Sequence, residues 1–310
     1  MKQHYVLSLA VVVAFLGLCT VLNAQEAKKA KVLHFTRSQG FEHAPAKLLD
    51  GGTTVSGQAL KKYFADKNIE VVETQDGGVF DGDMNQYDAF VFYTSGNLLN
   101  PAGSKNDKAQ PMSEAGLRKM FAAVQNGKGF VGIHAASDSH CNLKDENGVD
   151  LFTKFIGAIF IGHGPQQFAT LTITQPTTIF MGNLNGSPSP TLCHSPFGFI
   201  NDSGKQITTW DEWYSMNQFN KDLHVLLIQE TAGMEGKDYA RPPFPATWIR
   251  KEGNGRVAYT SFGHDNRYFQ NTENVRRIAD LIEWSVGRFN ADTTPNIEQV
   301  TPGAFENPPK

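Results

Sequence analysis

The sequence predicts an α/β protein whose doubly wound, mostly parallel sheet carries helices on both faces. Three observations point there. From Lys31 to His134, strand-like and helix-like stretches follow one another in the order β-α-β-β-α-β. The run Ala89-Phe90-Val91-Phe92-Tyr93 is apolar on both faces, as in a buried parallel strand. Several apolar runs end at glycine-flanked histidines, where an open α/β sheet places its ligand crevice.

The elements follow in chain order. Lys31 to Thr36 is a β-rich apolar run ending in polar residues, the first strand. After a loop containing Gly40, Pro45, Gly51 and Gly52, Ser56 caps a helix whose Ala59, Leu60, Tyr63 and Phe64 share one face. Ile69 to Glu73 and Asp88 to Thr94 are the next strands. Ser113 caps a second helix with the stripe Leu117, Met120, Phe121 and Val124, stopped at Gly127. Gly129 to His134 is the fourth strand. Phe168 to Thr174 alternates like a half-exposed strand, and residues 175–209, rich in Pro, Gly, Ser, Thr and Asn, form a long excursion. Leu223 to Gln229 and Gly255 to Phe262 are further strands, and Asn274 to Gly287 is a final helix. The Pro-containing tail, residues 288–310, is expected to wrap the surface or stay disordered.

The chain has 310 residues and a net charge of −3, enough for one large α/β domain or two small ones. The absence of a basic stripe argues against nucleic acid as a partner. Lys2 and His4 precede an apolar run from Tyr5 to Leu18, and Ala24 offers a small residue for cleavage. Residues 1–24 therefore read as a signal peptide, and the mature chain as periplasmic or secreted. The run is too short for a comfortable membrane span. A lipid-attachment reading of Leu16-Gly17-Leu18-Cys19 fits less well, because Leu18 is a poor residue before such a cysteine. Cys141 and Cys193 remain in the mature chain; they permit one disulfide, and spacing does not decide it.

The candidate chemistry lies in the histidines. His134 follows a strand in Gly132-Ile133-His134-Ala135-Ala136, a pattern like the strand-turn of a nucleophile elbow, with histidine as base, acid or ligand. The competing reading is a core histidine satisfied by backbone groups. His163 sits between two glycines, in a ligand-facing or a plain surface turn. His264 ends a strand beside Asp265, and His43 has only loop context. In Asp211-Glu212-Trp213-Tyr214, neighbouring carboxylates of an extended chain point apart, so one of them faces a pocket. The aromatic pair could stack on a sugar or belong to the core. Asn97 could donate to a ligand or serve a turn. No His-Glu-x-x-His, P-loop or dinucleotide glycine pattern occurs, so no nucleotide cofactor is expected. A divalent metal, Zn²⁺ or Mn²⁺, could still be held by ligands from separate loops.

Together these motifs resemble the trehalose-utilisation (ThuA-like) family. The resemblance runs over residues 31–287 and rests on Val32-Leu33-His34-Phe35-Thr36, Gly40-Phe41-Glu42-His43, Tyr87-Asp88-Ala89, Gly129 to Asp138, Gly157-Ala158-Ile159-Phe160 with Gly162-His163, Asp211-Glu212-Trp213-Tyr214, Pro245-Ala246-Thr247-Trp248 and Gly255-Arg256-Val257 leading to Gly263-His264. It implies a flavodoxin-like, class I glutamine amidotransferase-like fold. In those amidotransferases the elbow holds a nucleophilic cysteine; here His134 stands there, and neither Cys141 nor Cys193 fits. A cysteine-dependent amidotransferase is therefore not expected.

The resemblance also implies carbohydrate catabolism, involving trehalose, related disaccharides or keto-sugars. Residues 175–209 depart from the family pattern, and inserted loops near a crevice change substrate choice. The expected assignment makes His134 and Glu212 catalytic, Glu212 as acid or as orienter of a histidine. His43, Asn97, Asp211, Trp213 and Tyr214 bind a small carbohydrate, and His163 and His264 hold the metal. The alternatives are a non-catalytic periplasmic carbohydrate-binding protein and a scaffold.

Overall fold

The computed structural model describes residues 29–101, 109–174, 198–200 and 205–308. The expected signal segment, Cys193 and most of the 175–209 excursion lie outside the described residues. The strands are β1 (Ala30–Phe35), β2 (Ile69–Thr74), β3 (Ala89–Phe92), β4 (Gly96–Asn97), β5 (Gly129–Ile133), β6 (Ser139–His140), β7 (Ile159–His163), β8 (Gln167–Ile173), β9 (Gly198–Ile200), β10 (Gln206–Asp211), β11 (Tyr214–Asn217), β12 (His224–Gln229), β13 (Phe244–Glu252) and β14 (Gly255–Thr260). The helices are α1 (Val55–Tyr63), α2 (Glu114–Gln125), α3 (Leu151–Ile156), α4 (Asn266–Gln270), α5 (Thr272–Ser285) and α6 (Ile297–Val300).

Ten strands form one sheet in the order β2-β1-β3-β5-β14-β13-β12-β8-β10-β9. The first five pair in parallel. From β14 onward every pairing is antiparallel. The parallel expectation thus describes one half of the sheet, and an antiparallel extension makes the other. The switch is local: β13 and β14 are joined by the tight turn Glu252-Gly253-Asn254-Gly255, which only an antiparallel pair can use.

Alternate side chains of the parallel strands enter opposite layers. Val32, Val91 and Val131 join Leu60 of α1 and Ile278, Leu281 and Ile282 of α5. Leu33, Phe90, Phe92 and Phe130 join Leu117 and Met120 of α2 and Phe152 and Ile156 of α3. Burying each such side chain contributes about 1.5–3 kcal/mol, far more than the few tenths by which intrinsic helix propensities differ. Packing of the Leu117, Met120 and Val124 stripe therefore holds α2, and Ser113 caps it by accepting from the Gly116 amide at 2.8 Å.

Three sequence expectations are corrected. Thr54, not Ser56, caps α1, accepting from the Gly57 amide at 3.0 Å. Ser56 is buried instead and donates to the Pro45 carbonyl at 2.8 Å, with His34 Nε2 2.9 Å away. The last long helix starts earlier than Asn274, because Asn271 accepts from the amides of Glu273 and Asn274. Strand β13 is absent from the sequence reading because Pro245 interrupts it; Pro245 lies opposite Ile228 at a register irregularity, where its missing N–H is tolerated. The tail takes the first of its two expected courses, wrapping the surface and docking there. Ile297 and Ala304 are fully buried. His224 Nδ1 lies 2.6 Å from the Thr294 carbonyl, and Asn296 Oδ1 accepts from the Val225 amide.

Buried Arg241 joins the tail to the sheet side, donating to the carbonyls of Met216 at 2.6 Å and Ala304 at 2.7 Å. Among the described residues no helix is long and apolar enough to cross a membrane. Arg241→Ala is expected to cost about 3 kcal/mol, from two lost charged-donor bonds, and to make the segment after Phe289 sensitive to limited proteolysis. Chemical denaturation and mass mapping of the fragments check this.

Candidate histidine–carboxylate site

Three cluster histidines follow parallel strands at their carboxyl ends. His43 lies on the loop after β1, His134 directly after β5, and His264 on the loop after β14. His163 ends β7, and Glu212 occupies the corner between β10 and β11. His134 has φ +43, a left-handed conformation that is uncommon for a residue with a side chain. This is the sharp strand-to-helix turn of an elbow. Its flanks must be small: a Cβ on Gly132 would lie 2.6 Å from Ile156 Cδ1 and 3.2 Å from Ala136 Cβ. β3 lies between β1 and β5, and the residue just beyond it, Tyr93, donates its hydroxyl to the Gly263 carbonyl at 2.6 Å.

The four histidines converge on one carboxylate. Glu212 Oε2 lies 3.0 Å from His264 Nδ1, 3.7 Å from His134 Nε2 and 3.9 Å from His43 Nε2. Its other oxygen, Oε1, lies 3.6 Å from His163 Nδ1. His163 is the solvent-facing member, with 43% of its side chain exposed. Tyr214 packs its ring on His134 with centroids 4.1 Å apart, and its hydroxyl lies 3.3 Å from His43 Nε2. His134 Nδ1 lies 2.7 Å from the Ser261 carbonyl. A carbonyl only accepts, so Nδ1 carries the proton and Nε2 presents its lone pair to the cluster. His134 Nε2, His43 Nδ1 and His264 Nδ1 are buried without a hydrogen-bond partner. Such a group costs about 1–3 kcal/mol when left unpaired.

Burial pushes His134 down to about 3, with His43 and His264 adding to the effect and Glu212 opposing it. Burial also lowers His43. For Glu212 burial acts upward, but the imidazoles of His134, His264 and His43 hold the carboxyl well below the usual carboxylate range. For His264 burial acts downward, and the Glu212 carboxylate outweighs it, leaving a net rise. Glu212 is therefore ionised at any working pH. Of its two expected roles, this environment suits orienting the imidazoles and not donating a proton.

The structure separates the remaining expected site residues. Neighbouring carboxylates do point apart, and Glu212 is the one in the pocket. Asp211 turns away and accepts the amides of Glu212, Gly263 and His264 at 2.9, 2.9 and 3.1 Å. It staples the Glu212 corner to the His264 loop, so it supports the site where a substrate contact was expected. Burial pushes its carboxyl up to about 7, against those three amides. Trp213 is 0% exposed, packs edge-on to Phe262 and donates Nε1–H to the Gln167 carbonyl, leaving no face for a sugar. Asn97 is committed to a turn, its Oδ1 accepting from the Leu99 amide. Tyr214 does enter the cluster.

The metal-capable group consists of His43, His134, Glu212 and His264; His163, an expected ligand, stands outside it at the mouth. Cys141 is buried beside Asp150 and takes no part. Sequence reasoning missed four contributors. Tyr93 and Ser261 touch the cluster or its loops from behind, exposed Gln166 meets His264 from the solvent side, and Phe41 stands edge-on to His43 at 4.8 Å, 67% exposed. Only Phe41 had a signal, as an apolar residue between Gly40 and the loop histidine.

An α/β sheet with a histidine at its elbow and a carboxylate at its crevice defines the class. The sequence pattern described as trehalose utilisation (ThuA) matches residues 31–190 and 198–285, and the chain belongs to that family. Among solved structures, a ThuA-like protein from Parabacteroides merdae ATCC 43184 is similar at 16% identity and TM-score 0.59, covering 86% of this chain and 94% of its own. Another, from Bacteroides uniformis ATCC 8492, is similar at 17% identity and TM-score 0.56, covering 87% of this chain and 97% of its own. At these identities the likeness is one of fold. No curated protein matches the chain.

The lowered His134 value has a consequence for stability. Its ordinary value is 6.5 and its folded value about 3, so the unfolded chain gains a proton first as pH falls. The contribution is complete above pH 6.5 and is lost on descent toward pH 3. In chelator-treated protein, the unfolding free energy of wild type relative to His134→Gln is expected to shrink by about 2 kcal/mol between roughly pH 6.5 and pH 5. A constant gap in urea titrations across that window would show that His134 is not held neutral.

Proposed function

We propose that this chain is an exported enzyme of carbohydrate catabolism that acts on a disaccharide or keto-sugar at the Glu212 pocket. The observation that carries this reading is the convergence of His43, His134, His163 and His264 on Glu212, in a chain of the trehalose-utilisation family. The rim supports it: exposed Phe41 beside His43 offers an apolar face against which a pyranose can stack, next to polar groups that bind its hydroxyls. Export rests on residues 1–24 of the sequence. The parallel block β2-β1-β3-β5-β14 supports the finer flavodoxin-like reading of the fold.

The roles follow from position and charge. A keto group makes the adjacent C–H acidic, and removal of that proton needs a base at the mouth and a counter-charge for the resulting oxyanion. His163 is the histidine a substrate meets first, and Glu212 Oε1 orients it. His264, raised by the Glu212 carboxylate, faces it at 3.0 Å, so the pocket favours positive charge there beside a developing oxyanion. His134 keeps a neutral lone pair, better suited to a hydroxyl or a cation than to taking a proton near neutrality. Thioester chemistry has no place here, because the elbow carries His134.

The test is a panel of trehalose, other glucose disaccharides and their keto derivatives, followed by product analysis. Glu212→Gln and His163→Ala are each expected to lower kcat/KM at least 100-fold on the accepted substrate, with circular dichroism unchanged. Unaltered turnover in Glu212→Gln would overturn the site. Saturable sugar binding without turnover of any member would replace the enzyme by a binding protein.

A further inference from the structure

We infer that His43, His134, His264 and Glu212 form a binding site for one divalent transition-metal ion of the Zn²⁺ or Mn²⁺ class. The inference rests on geometry and stands independently of the sugar reading. One donor atom from each of the four residues lies within 4.8 Å of the others. Tetrahedral ligation at about 2.1 Å sets donors roughly 3.4 Å apart. The separations of 3.0, 3.7 and 3.9 Å from Glu212 to the three imidazoles bracket that spacing, and turning the rings inward from the 4.8 Å spread would close the shell.

Ring orientation agrees. The imidazole planes of His43 and His134 meet at 86°, those of His43 and His264 at 90°, and those of His134 and His264 at 76°. These angles keep the three rings from stacking on one another, and one nitrogen of each faces the same carboxylate oxygen. The purely structural reading is a self-satisfied hydrogen-bond network, and it fails on the nitrogens. His134 Nε2 and His264 Nδ1, both facing Glu212, have no hydrogen-bond partner, although His264 Nδ1 lies only 3.0 Å from Oε2. A cation at the centre would partner both of them and the carboxylate together.

The outer contacts are those that hold ligands in place. The Ser261 carbonyl fixes the His134 tautomer with its Nε2 lone pair toward the cluster, and the Tyr214 hydroxyl meets His43. Asp211 locks the backbone of both Glu212 and His264. Three imidazoles with one carboxylate favour borderline metals over Ca²⁺ or Mg²⁺, which prefer oxygen. Bound there, such an ion would supply Lewis-acid polarisation of a carbonyl or an activated water.

The test uses the full mature chain, stripped with chelator and titrated with Zn²⁺, Mn²⁺ and, as a spectroscopic probe, Co²⁺. One ion per chain is expected, with visible Co²⁺ absorption shaped by nitrogen ligands and a raised melting temperature. Glu212→Gln, His134→Ala and His264→Gln are each expected to weaken affinity at least 100-fold with circular dichroism retained. Asp211→Asn is expected to weaken it 10- to 100-fold, and His163→Ala to leave stoichiometry at one. Substoichiometric uptake by wild type, or equal affinity in all variants, would overturn the inference. Metal uptake without sugar turnover would support it while counting against the enzyme reading.

Discussion

A carboxylate removed from water must find positive charge or hydrogen-bond donors, and Glu212 meets this demand with imidazoles drawn from four separate loops. That requirement organises the crevice. Oε2 faces the buried rings of His43 and His134 and the half-buried ring of His264, and Oε1 faces the exposed ring, so a single side chain spans the boundary between interior and solvent. Asp211 makes the placement stiff by holding backbone amides from both sides of the crevice. The chemical character of the site follows: ionised at its centre, neutral at His43 and His134, and open at His163.

The elbow places chemistry by backbone geometry. A left-handed residue directly after a parallel strand lifts its side chain above the sheet, and small residues two positions away on either side make room for the turn. Gly132 and Ala136 meet that demand. With histidine at the apex, anchored by Ser261 and covered by Tyr214, the turn presents a nitrogen lone pair to the crevice.

The parallel half of the sheet was readable from sequence because its strands are apolar on both faces and its helices carry clean stripes. Ala89–Phe92 and the Leu117, Met120 and Val124 stripe are the plain cases. The antiparallel half was harder. Pro245 broke the pattern of β13, and β10 alternates as Gln206-Ile207-Thr208-Thr209-Trp210, where polar threonines mask the period. At the site, histidines at strand ends and the pair Asp211-Glu212 carried a signal, because each is an ionisable group beside an apolar run. Direction was not encoded locally. Whether Asp211 or Glu212 enters the pocket depends on the amides of Gly263 and His264, and Trp213 against Tyr214 depends on which layer each side chain meets. Ser261 acts through its backbone carbonyl and Gln166 through an exposed side chain, and neither carries a mark in the sequence.

The docked tail reaches the surroundings of the carboxylate. Thr294 and Asn296 bond to β12, and Ala304 receives the Arg241 clamp that also grips β11, the strand following Glu212. The crevice is therefore braced by a segment that contributes no group to its chemistry.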